Sequence, residues 1–404
     1  MSGATPVELS EQARQSRQSE QSGRDPEPLL AHGMGTEPVA PDWPPLTGAE
    51  VADLLGRYQG HGRAPVRVLW RSPRPLSAAA LVDSGPGRTL FVKRHHVSVR
   101  RPAGLAEEHA FLARLRERGA PVVEVLPAVD GGTAPQLGDW VYEVHSTGAG
   151  LDLYRDALSW SPFAATGHAR AAGAALARLH LAATGYDAPR RAVQPLVSSF
   201  TVFAAADPLS ELERYLAERP ALAEALADRP WRADLASVLL PFHRRLTPLL
   251  GGLEPLWTHN DWHASNLLWT GEGPEAEVAT VLDFGLSDRT TAVHDLATAV
   301  ERNVVQWLEP GFPVRLDQLD ALLDGYTSVR PLDRVEAEAL PRLLPLVHAE
   351  FALSELGYFH GITGSAENAE LAYAYLVGHA EWFAGPDGTA LLEHLRRRLT
   401  APSA

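Results

Sequence analysis

Two short polar stretches, THNDWHASN at residues 258–266 and LDFG at residues 282–285, decide the fold of this 404-residue chain. Each stretch borders a short run of apolar or β-branched residues, and a Gly- and Pro-containing turn separates the two runs. This pattern predicts a tight hairpin of two antiparallel strands. Because a hairpin brings its outer ends together, we expect Asp261, Asn266 and Asp283 to lie close to one another.

The residues upstream have the pattern of further antiparallel strands. Three short runs at residues 66–70, 78–82 and 89–93 are separated by Pro- and Gly-containing turns. In the third run, the two-residue period of a strand places Phe91 and Lys93 on the same face. Lys93 is therefore expected to face a cleft.

Lys93 is also unusual in composition, because it is the single lysine among 36 basic residues and every other one is arginine. An ammonium group is a compact point charge, whereas a guanidinium group is planar and bulky. A lone lysine on a cleft-facing strand therefore indicates a site that requires the ammonium group. Alternatively, the presence of a single lysine at this position is due to chance.

The sequence divides into three parts. Residues 1–45 are rich in Ser, Gln, Glu, Arg and Pro, which predicts a disordered leader. Residues 46–145 contain the predicted strands and one helix near residues 105–118, and residues 146–404 are mainly helical in pattern. We therefore predict an α+β chain with two lobes, a small antiparallel β-sheet lobe with one helix and a larger, mainly helical lobe.

Composition excludes several classes of function. The absence of cysteine excludes disulfides, thiolate metal sites and a cysteine nucleophile. The net charge of −14 disfavours nucleic acid and anionic membranes as partners. No run approaches the roughly 18 apolar residues that span a bilayer, and no secretory signal is evident. A cytoplasmic location is expected, and the sequence carries no signal for oligomeric state.

The residue types at the predicted site match the needs of phosphoryl transfer from ATP, in which the protein mainly positions groups and neutralises charge. Magnesium prefers hard oxygen ligands, which Asn266 and Asp283 provide. A further carboxylate must orient the acceptor hydroxyl and accept its proton, and Asp261 fits that role. Lys93 would hold the α- and β-phosphates, and Glu108 on the following helix would hold Lys93.

The order of these residues resembles the aminoglycoside phosphotransferase superfamily, which has a bilobal protein-kinase-like fold. The resemblance covers residues 66–308 and rests on His259-x-Asp261 with Asn266 five positions later, followed by a hairpin and Asp283. It implies Asp261 as the catalytic base, Asn266 and Asp283 as magnesium ligands, Lys93 on the phosphates and Glu108 as its partner. Glu107 competes with Glu108 for that last role.

The resemblance also implies roles around the site. The strand at residues 140–145 would be the hinge, where the backbone of Glu143 and Val144 would meet the adenine of ATP. His259 would pack the catalytic loop, and Asp295 would brace it.

Two departures from the family pattern concern the turn before the second strand and the catalytic loop. A Gly-x-Gly-x-x-Gly loop is absent from residues 72–77, so Ser77 and backbone amides would cover the phosphates. Trp262 stands where a small or aliphatic residue is expected, and it would narrow the acceptor site.

Three alternatives stay open at this stage. His259, Asp261 and His263 alternate nitrogen and oxygen ligands, as in a metallohydrolase, but further ligands are not evident. His95 and His96 point to opposite faces of their strand and make a poor metal pair. A nucleotide-binding pseudokinase would keep the fold without the activity. A protein Ser/Thr kinase would have the lobe arrangement of the bacterial stress-response kinases, which the chain also resembles, as it does homoserine and choline kinases.

We therefore expect transfer of the γ-phosphoryl group of ATP, with Mg²⁺, to a hydroxyl of a small molecule. The acceptor would be an aminoglycoside-like compound, an amino alcohol or a similar alcohol. The helical lobe would hold it.

Overall fold

The computed structural model describes residues 30–60 and 65–400, and its N-terminal lobe is built on a five-stranded antiparallel sheet. In chain order, the strands of this lobe and of the small hairpin before it are β1 (Ala31–His32), β2 (Pro38–Val39), β3 (Arg67–Arg71), β4 (Ala78–Asp83), β5 (Thr89–His96), β6 (Gln136–Leu137) and β7 (Trp140–Ser146). The sheet has the order β3-β4-β5-β7-β6. Its central strand β5 carries Lys93, directly opposite Ala79 on β4 and Glu143 on β7.

Among the described residues, this lobe contains two helices, where one was predicted. Helix α1 (Gly48–Leu55) begins with a capping box in which Thr47 and Glu50 bond to each other's backbone amides, and it buries Val51 and Leu54. Helix α2 (Pro102–Glu117) is the predicted helix. The extra helix is only eight residues long, so its apolar periodicity was too short to stand out, although the Thr-x-x-Glu signature is visible in the sequence.

The predicted disordered leader is only partly testable, because residues 1–29 lie outside the described residues. Residues 30–45 differ from that prediction, since they contain the β1–β2 hairpin and contact both lobes. The amide of His32 donates to Pro73 O at 2.7 Å, and Tyr358 Oη donates to Asp42 Oδ2 at 2.7 Å. Trp43 stacks on His96 with ring centroids 5.1 Å apart. These few anchors order a segment whose overall composition is polar.

The C-terminal lobe is mainly helical and contains two small antiparallel strand pairs. Its helices are α3 (Thr166–Ala183), α4 (Pro208–Ala217), α5 (Pro220–Leu226), α6 (Trp231–Val238), α7 (Leu240–Leu246), α8 (Ala292–Val304), α9 (Leu316–Val329), α10 (Arg334–Leu343), α11 (Ala349–Tyr358), α12 (Ala366–Ala384) and α13 (Pro386–Thr400). Its strands are β8 (Pro255–Thr258), β9 (Leu267–Trp269), β10 (Val278–Val281) and β11 (Asp288–Thr291). Strands β9 and β10 form the predicted hairpin, and β8 pairs with β11. The predicted two-lobed α+β fold is confirmed.

Helices α3 and α9 approach each other closely at two buried glycines. A Cβ atom added at Gly173 of α3 would clash with the carbonyl oxygen of Leu322, and one added at Gly325 of α9 would clash with that of Arg170. Backbone carbonyls cannot move aside like the end of a side chain. The close contact therefore requires glycine on both helices, and it fixes α3, which carries His180 toward the catalytic loop.

We predict that Gly325→Ala lowers the free energy of unfolding by about 1–3 kcal/mol, because the helices must separate to admit the methyl group. Gly378→Ala is the matched control, since Gly378 lies within helix α12 with nothing within 4 Å of an added Cβ. That variant should be neutral or stabilised by up to about 1 kcal/mol. Chemical denaturation of both proteins checks the difference, and equal stabilities would contradict the close-packing account.

Candidate active site

Two adjoining cavities lie between the lobes, one of about 400 Å³ and one of about 190 Å³. The larger cavity lies under the sheet face that carries Ala79 and Phe91, and the smaller extends toward Arg302 and Glu355 in the helical lobe. Six residues line both cavities: Arg74, Ser77, Lys93, Glu108, Asn266 and Asp283. The boundary between the cavities therefore contains most of the residues predicted to act.

The loop between β8 and β9 is held by the buried carboxylate of Asp295, as the resemblance implied. Asp295 lies in the first turn of α8, which Thr291 caps. Its two oxygens accept hydrogen bonds from the amides of His259 and Asn260, each at 2.8 Å, and His180 Nε2 lies 3.0 Å from Oδ2. Asn260 adopts a left-handed conformation, with φ of 60°, which asparagine tolerates better than most residues. One carboxylate thus fixes the backbone just before Asp261.

Asp261 faces the smaller cavity and is oriented by its own loop. Asn266 Nδ2 donates to the Asp261 carbonyl at 2.9 Å and to its Oδ2 at 3.1 Å. Burial would raise the pKa of this carboxyl, but His263 and Arg302 hold it well below its usual value. Because burial lowers the pKa of His263 and favours its neutral form, Arg302, 3.7 Å from Oδ1, is the lasting cation. Asp261 therefore stays ionised and can accept a hydrogen bond from a hydroxyl.

Asp283 joins the lobes through Lys93. Its backbone is left-handed, with φ of 54°, and its Oδ1 accepts a hydrogen bond from Lys93 Nζ at 2.8 Å. Burial lowers the pKa of Lys93, but Asp283, Glu143 and Glu108 outweigh it and raise the pKa well above its usual value. Burial alone would raise the pKa of Asp283, and the ammonium group lowers it instead. Both groups are therefore charged.

Asp283 and Asn266 fit a magnesium ion chemically. Asn266 uses its amide nitrogen on Asp261, which leaves its side-chain oxygen without a hydrogen bond from the described residues. Asp283 binds Lys93 and the amide of Gly285 through Oδ1, which leaves Oδ2 similarly unengaged. Two hard oxygens beside a phosphate-sized space are a typical protein contribution to a magnesium site.

Glu108 does not form the predicted ion pair with Lys93. Its Oε2 lies 3.4 Å from Arg191 Nη2, and the competitor Glu107 also points to this arginine, at 4.0 Å from its Nε. Arg191 is itself held by the carbonyls of Gly104 and Gly285. Glu108 still lies close enough to contribute to the potential at Lys93. The loop that contributes Arg191 follows α3, so no local sequence pattern announced this partner.

Glu143 and Val144 lie within strand β7, and their contact with adenine stays a prediction. Strand β7 continues to Ser146, and the carbonyl of Val144 accepts a hydrogen bond from Leu126 N at 2.8 Å. Residues 146–148, which follow, line the larger cavity instead. The added Cβ of a residue at 148 would press on Leu268 and Thr280, so the chain approaches the β9–β10 hairpin closely at Gly148.

The Glu143 side chain serves a different purpose inside the lobe. Its carboxylate lies 2.9 Å from the Nε2 atoms of His95, His109 and His145. Burial would raise the pKa of Glu143, but these histidines hold it well below its usual value. The resulting buried anion lies opposite Lys93 on the neighbouring strand and supports its charge.

Arg74 is the site residue that sequence reasoning missed. It stands in the β3–β4 turn and donates to Ser265 Oγ at 2.6 Å, to Ser159 Oγ at 3.2 Å and to Ala157 O at 2.9 Å. It therefore connects the N-terminal lobe to the catalytic loop and lines both cavities. In the sequence, this turn is notable for its lack of glycine, and the arginine within it could have indicated a site residue. Ser77 lines the same boundary, and its contact with the phosphates stays a prediction.

Trp262 differs from the role predicted for it, whereas His259 packs the catalytic loop as the resemblance implied. Trp262 is fully buried beside His259, with ring centroids 5.4 Å apart, and lines neither cavity. It does not narrow the smaller cavity, which Met34 and its neighbours at residues 32–35 border instead. His259 bonds through its ring nitrogens to the amide of Asp261 and to Leu282 O, so it is not available as the metal ligand of a hydrolase.

Comparison with known proteins agrees with this geometry. Residues 74–332 match the model of a family described as "Phosphotransferase enzyme family". An uncharacterized protein of Deinococcus radiodurans is 31% identical over 306 residues, which are 74% of this chain and 79% of that protein. A homoserine kinase of Caulobacter vibrioides is 30% identical over 249 residues, which are 61% of this chain and 68% of that enzyme.

Solved structures show the same fold. The microcompartment-associated aminopropanol kinase has a TM-score of 0.58 at 22% identity, over 87% of this chain and 99% of that one. An amicoumacin kinase in complex with AMP-PNP, Ca²⁺ and Ami has a TM-score of 0.56 at 15% identity, over 83% of this chain and 94% of that one. The predicted resemblance is confirmed at the level of the family and its fold.

We predict that Asp295→Asn lowers the free energy of unfolding by about 1–3 kcal/mol, since one acceptor oxygen becomes a donor and a buried amide loses its partner. Hydrogen exchange should accelerate at the amides of His259 and Asn260. Asp187→Asn is the control, because Asp187 pairs with Arg289 at the surface with 86% of its side chain exposed. It should change stability by less than about 0.5 kcal/mol. Unchanged exchange in Asp295→Asn would contradict the bracing role.

Proposed function

Because the chain belongs to the phosphotransferase enzyme family, we propose that it transfers the γ-phosphoryl group of ATP, bound with Mg²⁺, to a hydroxyl of a small molecule. One observation carries this proposal. Lys93, Asn266 and Asp283 lie where the larger cavity meets the smaller one, and Asp261 faces the smaller cavity. That arrangement suits a donor in the first cavity and an acceptor in the second.

The larger cavity suits the nucleotide. Its walls combine apolar side chains such as Ala79, Phe91 and Leu268 with the backbone of residues 146–148, as an adenine site needs. The phosphates would then extend toward Lys93 and Ser77. Asn266 and Asp283 would hold Mg²⁺, which would neutralise phosphate charge.

Asp261 would act on the acceptor. Its ionised carboxylate would accept a hydrogen bond from the acceptor hydroxyl and direct that oxygen at the γ-phosphorus. A new P–O bond forms as the bond from phosphorus to the bridging oxygen of ADP breaks, and the hydroxyl proton passes to Asp261. The low pKa of Asp261 suits a loose transition state, in which the proton moves late.

Arg74 would add a second cation at the transferring group. It lines both cavities. Burial lowers the pKa of Arg74, and the nearby carboxylates of Asp261 and Asp283 offset only part of that effect. A guanidinium group placed there can stabilise negative charge on the equatorial oxygens of the transition state. Its bonds to Ser159, Ser265 and Ala157 hold it in place before substrate arrives.

A small acceptor fits better than a protein. The smaller cavity is about 190 Å³ and is bordered by the segment at residues 32–35, which a polypeptide acceptor would have to displace. The full set of polar residues argues against a pseudokinase. Within the described residues, no helix is long and apolar enough to cross a membrane, and we propose a cytoplasmic location.

The first prediction is that purified protein with Mg²⁺ consumes ATP in the presence of one class of small alcohol. The panel should include amino alcohols, homoserine, choline, aminoglycosides, sugars, nucleosides and a generic protein acceptor. Asp261→Asn should lower kcat by about 100-fold or more with nucleotide affinity largely kept, because the hydroxyl loses its base while the larger cavity keeps its lining residues. Full turnover in that variant would refute the base assignment, and turnover on the protein acceptor alone would favour the protein kinase alternative.

The second prediction concerns the metal. Asp283→Asn should reduce kcat by at least about 100-fold and raise the Mg²⁺ concentration needed for half-maximal rate, because a neutral amide binds the ion more weakly. Asp320→Asn is the control, since Asp320 lies at the surface beside His394. Magnesium titrations of the three proteins give the comparison. An unchanged magnesium requirement in Asp283→Asn would remove this residue from the metal site.

A further inference from the structure

Several carboxylates lie around Arg302, at the end of the smaller cavity in the helical lobe. Three buried or nearly buried carboxylates, of Asp261, Glu301 and Glu355, surround one guanidinium group, that of Arg302. Arg302 lies 3.7 Å from Asp261 Oδ1 and 3.7 Å from Glu301 Oε2. The nearby His379 adds no lasting charge, because burial lowers its pKa. Among the described residues, Arg302 is the one arginine or lysine within 4.0 Å of any of these carboxylates.

Glu355 is the carboxylate that lacks a partner. It lies on helix α11, is 5% exposed and lines the smaller cavity. Its Oε2 atom is buried, and within residues 30–60 and 65–400 its carboxylate makes no hydrogen bond or ion pair. Glu301, by contrast, has His379 Nδ1 at 3.1 Å as well as Arg302. Buried carboxylates without partners are costly, so their retention suggests a ligand.

We propose that Glu355 is the binding site for a positively charged nitrogen of the acceptor, which is therefore a small amino alcohol. This inference rests on the proposed function, because it places the ammonium group in the same cavity that presents the hydroxyl to Asp261. Glu355 determines specificity and takes no part in the chemical step.

The surroundings of Glu355 agree with a cationic ligand of limited size. Trp160, Phe351 and Phe359 line the same cavity, and aromatic faces attract cations as well as methyl and methylene groups. The guanidinium carbon of Arg302 already lies 4.8 Å from the ring centroids of both Trp160 and Phe351, which fixes its position. A volume of about 190 Å³ suits a small acceptor.

The ionisation of Glu355 provides support. Burial raises its pKa to about 8, Arg302 opposes this effect, and Asp261 and Glu301 add to it. A cation bound beside the carboxylate would favour the ionised form. The acceptor nitrogen would thus supply the charge that the chain itself does not.

Glu350, one and a half turns away on the same helix, provides a matched control. It is equally buried, but it accepts hydrogen bonds from the amides of Thr201 and Val202 at 2.6 and 2.7 Å and from the Thr201 hydroxyl at 2.5 Å. It does not line either cavity. Glu350 therefore has the structural role that Glu355 lacks, on the same helix.

The test compares acceptors of the same shape with and without the charge. 1-Amino-2-propanol is paired with 2-butanol, and choline with 3,3-dimethyl-1-butanol. In the natural protein, kcat/KM should favour the charged member of at least one pair by about 100-fold, since the neutral member leaves Glu355 unpaired. In Glu355→Gln this preference should fall by at least about tenfold. In Glu350→Gln the preference should remain while the melting temperature drops.

A second measurement separates this inference from the proposed function. Stabilisation against thermal unfolding by each compound requires binding but no turnover. Turnover with a preference that Glu355→Gln leaves unchanged would overturn the ammonium site and keep the kinase. Stabilisation by a charged member, lost in Glu355→Gln, without any phosphoryl transfer would keep the site and overturn the kinase. A protein that neither phosphorylates nor is stabilised by any charged member overturns the ammonium site.

Discussion

The ion pair between Lys93 and Asp283 is the constraint on which the rest of the site depends. It joins the central strand of the N-terminal sheet to the end of the β9–β10 hairpin across the cleft, at 2.8 Å. The lysine side chain is 11% exposed and the aspartate 38% exposed. Separating them without new partners would leave a largely buried charge unpaired, which is destabilising. Phosphates and a magnesium ion are suitable replacements, one for each partner. Lys93 and Asp283 therefore pair with each other where, under the proposed function, they would bind phosphates and Mg²⁺.

Two buried anions support the residues of the site, one in each lobe. Glu143, surrounded by His95, His109 and His145, supports the charge of Lys93 from inside the sheet. Asp295 holds the backbone just before Asp261, and so indirectly holds Asn266. The N-terminal lobe thus positions the donor side and the helical lobe positions the acceptor side. Arg74 connects them at the boundary.

The residues that were predicted correctly to meet are those whose geometry is local. Asp261, Asn266 and Asp283 converge because one short hairpin separates them, and the two-residue period of a strand was enough to orient Lys93. The failures involve long-range contacts. Glu108 turned to Arg191, 83 positions away, and residues 30–45 were ordered by Tyr358, more than 300 positions away. Glu355 is distinctive because it is buried without a hydrogen-bond or ion-pair partner among the described residues. No sequence pattern indicates such a missing partner.

The most direct test of the central claim uses the single lysine. Protein grown with ¹³C-labelled lysine gives one Cε resonance, because Lys93 is the only source of it. If Lys93 leaves Asp283 for the phosphates, Mg²⁺ with a non-hydrolysable ATP analogue shifts this resonance, and adenosine alone shifts it much less. A resonance that stays unchanged at saturating analogue, with binding established by calorimetry, would contradict the account.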